Sequence, residues 1–202
     1  MFQKIKNRIL NYLFNEFKNH QNNKQDQYIR WIAKQFKKVG SNFQLETPYI
    51  INGCKYIEIG SDFVAGNRFW LDAIDHYRDQ KFNPEIIIKD NVHINHNVHI
   101  GAINKIVIGN NTLIASNVLI SDHNHGSITK EENNIPPKER PLFSKGEIII
   151  GDNVWIGEYV SILGGVKIGN NVIIGSNSLI NKDIPDNCVV GGVPAKILKT
   201  LE

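Results

Sequence analysis

Residues 150–180 read IGDNVW, IGEYVS, ILGGVK, IGNNVI, IGSNSL and then Ile180, so the chain repeats on itself every six residues. The first position of each unit is Ile150, Ile156, Ile162, Ile168, Ile174 and Ile180, and the fifth is Val154, Val160, Val166, Val172 and Ser178. A period of six is neither the three-and-four spacing of an amphipathic helix nor the alternation of an isolated strand. It suits a short strand and a corner, repeated, with three units making one coil of a prism. The branched residue takes the interior at each corner. The residue after it is small (Gly151, Gly157, Gly169, Gly175) where the chain turns, and the Asp-Asn and Asn-Asn pairs tolerate left-handed backbone angles. One unit alone cannot bury its Ile and Val, whereas a stack buries a continuous apolar column. The pattern predicts an all-β protein, a parallel β-helix.

Working outward, the same units recur at Ile88, Ile94 and Ile100, with Val92 and Val98 at fifth positions. After a two-residue slip through AINKIV they continue at Ile108, Ile114 and Ile120, with Thr112 and Val118. Such a slip predicts a bulged corner within an unbroken solenoid. Upstream, short strands are expected from Phe43 to Phe63, and IEIGSDF (57–63) reads as an imperfect first unit with Ile59 inward. GNRFWLDAIDHYRDQKFNP (66–84) breaks the repeat, though FWLDAI is apolar enough to form one wall. Between Ile120 and Ile148 the pattern lapses over a stretch with Pro136, Pro137 and Pro141. A long irregular insertion in a repeat domain is usually functional, and this one is expected to stand out as an arm. After Ile180, Pro185 and Pro194 end the regular coil, and AKILKTLE predicts a short closing helix or strand. Three parts follow: an N-terminal segment 1–56, a β-helix 57–184 with a loop inserted at about 121–147, and a C-terminal cap 185–202.

In the N-terminal segment, Phe2, Ile5, Ile9, Leu10, Leu13 and Phe17 fall at helical spacing among Lys4, Lys6, Arg8 and Lys18, predicting a helix over 2–19 with a basic face. The helix is expected to pack on its own domain, with weak contact to a membrane surface or a partner as the alternative. The amide-rich residues 20–28 predict a connection, and Ile29, Trp31, Ile32 and Phe36 a second short helix ending near Gly40.

With 202 residues, 41% of them hydrophobic, the chain can build one solid domain plus an appendage, and a net charge of +3 demands no nucleic-acid partner. Cys54 and Cys188 stand in no metal or redox spacing and read as free thiols of a reducing compartment. No apolar run approaches the ~20 residues of a membrane span, and the N-terminus lacks a signal-peptide core. The expectation is a cytoplasmic protein, at most peripheral at the inner membrane face.

The repeats, DHNHG at 122–126, IGDNVWIGE at 150–158 and the ending KDIPDNCVVGGVPAKILK at 182–199 together resemble the hexapeptide-repeat acyltransferases. Within these, the chain is similar to the sugar O-acetyltransferases that include galactoside, maltose, and lipopolysaccharide or capsule enzymes. The resemblance covers about residues 57–199. It implies a left-handed β-helix, against the usual right-handed rule for parallel crossovers. It also implies a homotrimer, a sugar or glycan acceptor, and acetyl-CoA as co-substrate in the groove between subunits.

Acetyl transfer to a hydroxyl needs a base to take the proton during attack on the thioester, and donors facing the oxygen that becomes negative. Histidine is the natural base at neutral pH. His123 and His125 lie where the coil opens into the arm. The ungapped family match of NVLISDHNH puts the base on His125, and a gap moves it to His123. Asp72 and Asp122 are candidates for holding the acceptor hydroxyl or the imidazole, with a turn or capping role as the alternative for Asp72. His93, His96 and His99 fall at outward positions and are expected on the surface. By position in the family pattern, Gly157 and Ser176 line the pantetheine arm, Lys182 and Lys196 approach the phosphates, and Trp155 lies near the acetyl group. The chain departs from relatives in Glu158, where a small hydroxyl is common, and in Lys196, where Arg is common; lysine meets phosphate as a point charge rather than a fork. Direct attack is expected, since neither cysteine lies in the matched motif, and no metal is expected.

Three alternatives accompany this reading. One is an N-acetyltransferase on an amino-sugar nucleotide, for which residues 1–56 are short and helical. Another is a γ-carbonic-anhydrase-like zinc protein using some of the five histidines between 93 and 125. The third is a non-catalytic scaffold.

Overall fold

Each six-residue unit lays down one strand and one corner, and three units carry the chain once around a prism. The computed structural model describes residues 2–127 and 129–201. The first face stacks Lys38–Val39, Ile57–Ile59, Glu85–Ile88, Lys105–Ile108, Ile148–Ile150 and Val166–Ile168. The second stacks Gln44–Leu45, Val64–Ala65, His93–Ile94, Leu113–Ile114, Trp155–Ile156, Val172–Ile174 and Cys188–Gly192. The third stacks Tyr49–Asn52, Phe69–Ala73, His99–Ala102, Leu119–Ser121, Ser161–Leu163 and Leu179–Ile180. Pairing between successive coils is parallel throughout these faces, and the architecture is an all-β, left-handed parallel β-helix.

The first and fifth positions fill the interior as the repeat predicts. Ile156, Ile162 and Ile180 expose nothing, and neither do Val160, Val166 and Val172. The division of labour at the corners differs from the expectation. The left-handed residue is the fourth of each unit, with φ between 55° and 58° at Asn153, Asn171 and Asn177 and 58° even at Tyr159. The second-position glycines serve close stacking instead: a Cβ on Gly157 would lie 2.7 Å from the Ser176 backbone nitrogen, and one on Gly151 would lie 2.7 Å from the Gly169 carbonyl. At the edge between the first and second faces, the left-handed asparagines also bond to one another from coil to coil. Asn91 donates to Asn111 (2.9 Å), Asn111 to Asn153 (3.0 Å), Asn153 to Asn171 (3.1 Å) and Asn171 to Asn187 (2.8 Å).

The chain divides into two compact units, residues 1–35 and 36–202. The boundary expected at 56/57 therefore falls inside the prism, because Lys38–Val39, Gln44–Leu45 and Tyr49–Asn52 already form a coil beneath Ile57–Ile59. Within residues 185–201 the closing element is a strand. Cys188–Gly192 continues the second face, and Ala195–Thr200 pairs antiparallel on it, covering the strand edge. The N-terminal unit holds one continuous helix, Phe2–Ala33, in place of two helices and a connection. Amide-rich sequence is not a helix breaker, and residues 2–39 contain neither Gly nor Pro. Leu10, Leu13 and Lys18 are exposed; the side chains of Phe2, Ile5, Ile9, Phe17, Lys4, Lys6 and Arg8, from which the basic amphipathic face was read, lie outside the described residues.

Three departures from the regular coil leave the prism at one edge, between the third and first faces, on successive coils. The first is the hairpin of His76–Tyr77 and Gln80–Lys81. The second is the two-residue slip, which forms the corner at 102–104. The third is the insertion after Ser121, whose ends zip together as His123–His125 against Leu142–Ser144. That insertion does not stand free as an arm: Gln80 accepts from the Leu142 N–H (2.7 Å) and donates to its carbonyl (3.1 Å), and the Tyr77 hydroxyl donates to the Lys138 carbonyl (2.6 Å).

The asparagine ladder makes a quantitative expectation. Asn153→Ala removes two side-chain bonds and puts an ordinary residue at φ 58°, which costs about 1–3 kcal/mol. Asn153→Gly keeps the backbone relaxed and costs less. Urea unfolding of both variants checks the order, and equal stability for the two contradicts the left-handed requirement.

Candidate active site

The edge that carries all three departures is also where His123 and His125 sit. Asp122, immediately before them, is 0% exposed, and its two carboxylate oxygens accept the N–H groups of Ile103 (2.9 Å) and Asn104 (2.8 Å). The slipped corner thus anchors the carboxylate, and Asp122 Oδ1 also lies 3.1 Å from His123 Nδ1. His123, with its side chain 14% exposed, thereby has Nδ1 facing a carboxylate that can only accept. Full burial gives Asp122 no route to an acceptor, so among the two carboxylates named from sequence it is the one that positions a ring and a corner.

His125 is exposed and lies beside the hairpin. Its ring meets Tyr77 edge-on, with centroids 5.4 Å apart, and its Nδ1 is 3.5 Å from the Tyr77 oxygen. Because the Tyr77 proton is given to the Lys138 carbonyl, the phenol oxygen faces His125 as an acceptor. A neutral His125 with its proton on Nδ1 would donate to that oxygen and carry its lone pair on Nε2.

His99 departs from the surface expectation that holds for His93 and His96. It is half-buried, its ring stacked on Trp70 at 4.1 Å and 13°. On the same outward face, Asp72, Gly101 and Ser121 stand side by side in register. A Cβ on Gly101 would lie 3.3 Å from His99 Nε2 and 3.4 Å from His123 Cε1, so the glycine keeps a notch open between the two rings. Burial holds the His99 pKa below the ordinary histidine value; the Asp72 carboxylate works against that shift and His123 adds to it.

The residues assigned to the coenzyme lie elsewhere. Trp155 is 51% exposed on the second face, and Gly157 and Ser176 are neighbours on successive coils at the edge between the second and third faces. Lys182 and Lys196 are exposed near the C-terminal end of the prism, Lys196 on the closing antiparallel strand. The strand Ser161–Leu163 runs between the two edges, with Gly157 before it and Gly164, packed on the Asp122 backbone, after it. Within one chain the histidines and the Trp155–Gly157–Ser176 edge are therefore separated by the width of a face, on the order of 20 Å. Burial raises the thiol pKa of both Cys54 and Cys188, so neither is an activated thiolate.

A family model described as bacterial transferase hexapeptide (six repeats) matches residues 147–182. The chain is 43% identical over 156 residues to a putative lipopolysaccharide biosynthesis O-acetyl transferase, WbbJ, of Escherichia coli strain K12, spanning 75% of this chain and 76% of that one. It belongs to the hexapeptide-repeat acetyltransferases. This acetyltransferase is also 30% identical over 204 residues to the galactoside O-acetyltransferase of the same strain, spanning 98% and 79% of the two chains. Among solved structures, a galactoside acetyltransferase in complex with coenzyme A matches it at 32% identity and a TM-score of 0.56, over 85% of this chain and 68% of that one.

Sequence reasoning missed Tyr77, which orients His125, and the half-buried state of His99. The signal for Tyr77 was present, since it lies in the segment 66–84 that breaks the repeat as the longer insertion does. For His99 there was none, because its burial comes from the aromatic neighbour one coil away.

The lowered His99 pKa has a defined sign. Above the unfolded value of about 6.5 both states are neutral there; as pH falls below it, the unfolded chain takes up a proton first and stability is lost. His99→Asn is expected to flatten the loss of stability between about pH 6.5 and pH 5, by at most one proton's slope. Denaturation midpoints across that range check it, and an unchanged slope contradicts it.

Proposed function

We propose that this chain transfers the acetyl group of acetyl-CoA to a sugar hydroxyl of a surface polysaccharide or its precursor, with His125 as general base. The arrangement that supports this reading is the Tyr77–His125 pair, which sets an exposed imidazole at the edge where the coil opens. The lipopolysaccharide biosynthesis O-acetyl transferase and galactoside O-acetyltransferase relatives support the acceptor class, and the coenzyme A complex of a galactoside acetyltransferase supports the donor. As the acceptor oxygen attacks the thioester carbon, its proton passes to His125 Nε2. The tetrahedral intermediate then collapses, the carbon–sulfur bond breaks, and the imidazolium returns the proton to the departing thiolate. No acetyl group resides on the protein, consistent with the raised thiol pKa values.

Trp155, Gly157, Ser176, Lys182 and Lys196 are the residues proposed to hold the coenzyme, Lys182 and Lys196 toward its phosphates. Since one chain keeps them a face away from His125, the proposal includes a homotrimer in which one copy's histidine edge faces the coenzyme edge of the next. No described helix is long and apolar enough to cross a membrane; the proposed setting is the cytoplasm, where acetyl-CoA and glycan precursors meet.

A second reading makes His123 the base, favoured by its bond to the buried Asp122. Kinetics of single variants with labelled acetyl-CoA and a panel of sugars separate the two. His125→Ala is expected to lower turnover by ~10²–10⁴-fold with little change in the KM for acetyl-CoA, and His123→Ala to cost less. The reverse order makes His123 the base. Failure of the wild-type protein to acetylate any sugar overturns the proposed function.

A further inference from the structure

At the edge between the second and third faces, the corners turn on left-handed asparagines at Asn97, Asn117 and Asn177. Arg68 holds the same place one coil before Asn97, at φ 57°, a backbone angle that strains an ordinary side chain. No ladder bond compensates it. Asn97 donates onward to Asn117 (2.6 Å), and among the described residues the Arg68 side chain makes no hydrogen bond and no ion pair. Beside this exposed cation, Pro48, Ile50, Trp70 and Asn97 line a cavity of about 240 Å³. Ile50 is 53% exposed and Trp70 41%. The volume falls below the ~300–1,000 Å³ of small-molecule sites and suits one or two side chains of a protein partner.

The complement stands at the other end of the same strand. Phe69–Ala73 starts next to Arg68 and leads into the hairpin of His76–Tyr77 and Gln80–Lys81. The hairpin tip is Arg78 and Asp79, both exposed and, among the described residues, in no ion pair. It is presented on a fixed base, because Tyr77 and Gln80 on either side are bonded to Lys138 and Leu142. In the proposed homotrimer the edge carrying this hairpin faces the second–third edge of the next copy. Edges meet along their length only when prisms stand side by side, and a closed ring of such prisms keeps every coil at its own height. The hairpin and the Arg68 corner belong to one coil, so they arrive opposite each other. We infer that the hairpin tip of one copy docks in the Arg68 cavity of the next, with Asp79 pairing to Arg68 and Arg78 lying against the exposed Trp70 ring. Opposite charges then meet at the rim, and a guanidinium meets an aromatic surface. The inference rests on the proposed homotrimer and names a contact that fixes its register.

The test uses full-length protein carrying Arg68→Cys and Asp79→Cys together. Within one chain the two positions lie a strand apart, on the order of 15–20 Å, so a bismaleimide shorter than that joins them only between copies. Denaturing gels are expected to show covalent dimers and trimers, with none from either single variant. Charge reversal reads the same contact without a cross-linker. Asp79→Arg is expected to raise the concentration at which the trimer dissociates at least about tenfold, and Arg68→Asp added to it to restore assembly. Circular dichroism equal to wild type shows that the variants fold. If light scattering finds a wild-type trimer but the double cysteine variant does not cross-link, or the paired reversal fails to restore assembly, the docking is overturned while the homotrimer stands. Cross-linking through Arg68→Cys alone overturns it as well, since two cavities then face each other. A monomeric wild-type protein overturns both the docking and the homotrimer.

Discussion

The stacking of one coil directly on another, in register and in parallel, is the constraint on which everything else depends. Each strand of the three faces, two to five residues long, pairs with the strands directly above and below it, so each coil must offer the next the same shape. Three devices secure that. Branched residues at the first and fifth positions fill the interior, glycines at the second position let adjacent corners approach within a bare backbone contact, and left-handed asparagines turn the chain while bonding up and down the stack. Stability in such a fold is roughly a sum of neighbour terms. An edge can therefore carry insertions without disturbing the faces, provided the insertions leave at a corner.

Among the described residues, three insertions use that freedom at one edge. The hairpin at 76–81, the slipped corner at 102–104 and the insertion after Ser121 all leave between the third and first faces, and they fasten to each other through Gln80, Tyr77 and Asp122. The slip is the most economical of the three. Two extra residues turn a pair of backbone N–H groups toward a buried carboxylate, and that carboxylate sets the orientation of His123. The irregular parts of the chain are thus where a regular, chemically bland solid acquires titratable groups with defined partners.

Much of this was written in the sequence, because a six-residue period fixes inward and outward positions without knowledge of tertiary contacts. The Ile and Val positions and the bulged corner followed from period alone, and the wall formed by FWLDAI from its apolar character. What escaped were features decided by neighbours distant along the chain. The first coil at 38–52 has no clear hexapeptide: the sequence predicts short strands from Phe43 on, but not that Lys38–Val39 pairs with Ile57–Ile59 to complete a coil. The polar stretch 20–28 lacks apolar spacing yet continues a helix, since propensity and the absence of breakers suffice. At the site, His99 and Tyr77 gain their meaning from Trp70, His125 and Lys138, which the sequence places 29 to 61 residues away.

The separation of the histidine edge from the Trp155–Gly157–Ser176 edge leads to the central claim, that a working site is assembled from two copies of the chain. Co-expression of His125→Ala with Ser176→Trp tests it directly, since each variant spoils a different half. If the halves meet across a subunit boundary, random assembly leaves one boundary in four intact and the purified mixture recovers about a quarter of the wild-type rate, while each variant alone is nearly inactive. A mixture no more active than the sum of the separate variants would contradict the claim and place both halves within a single chain.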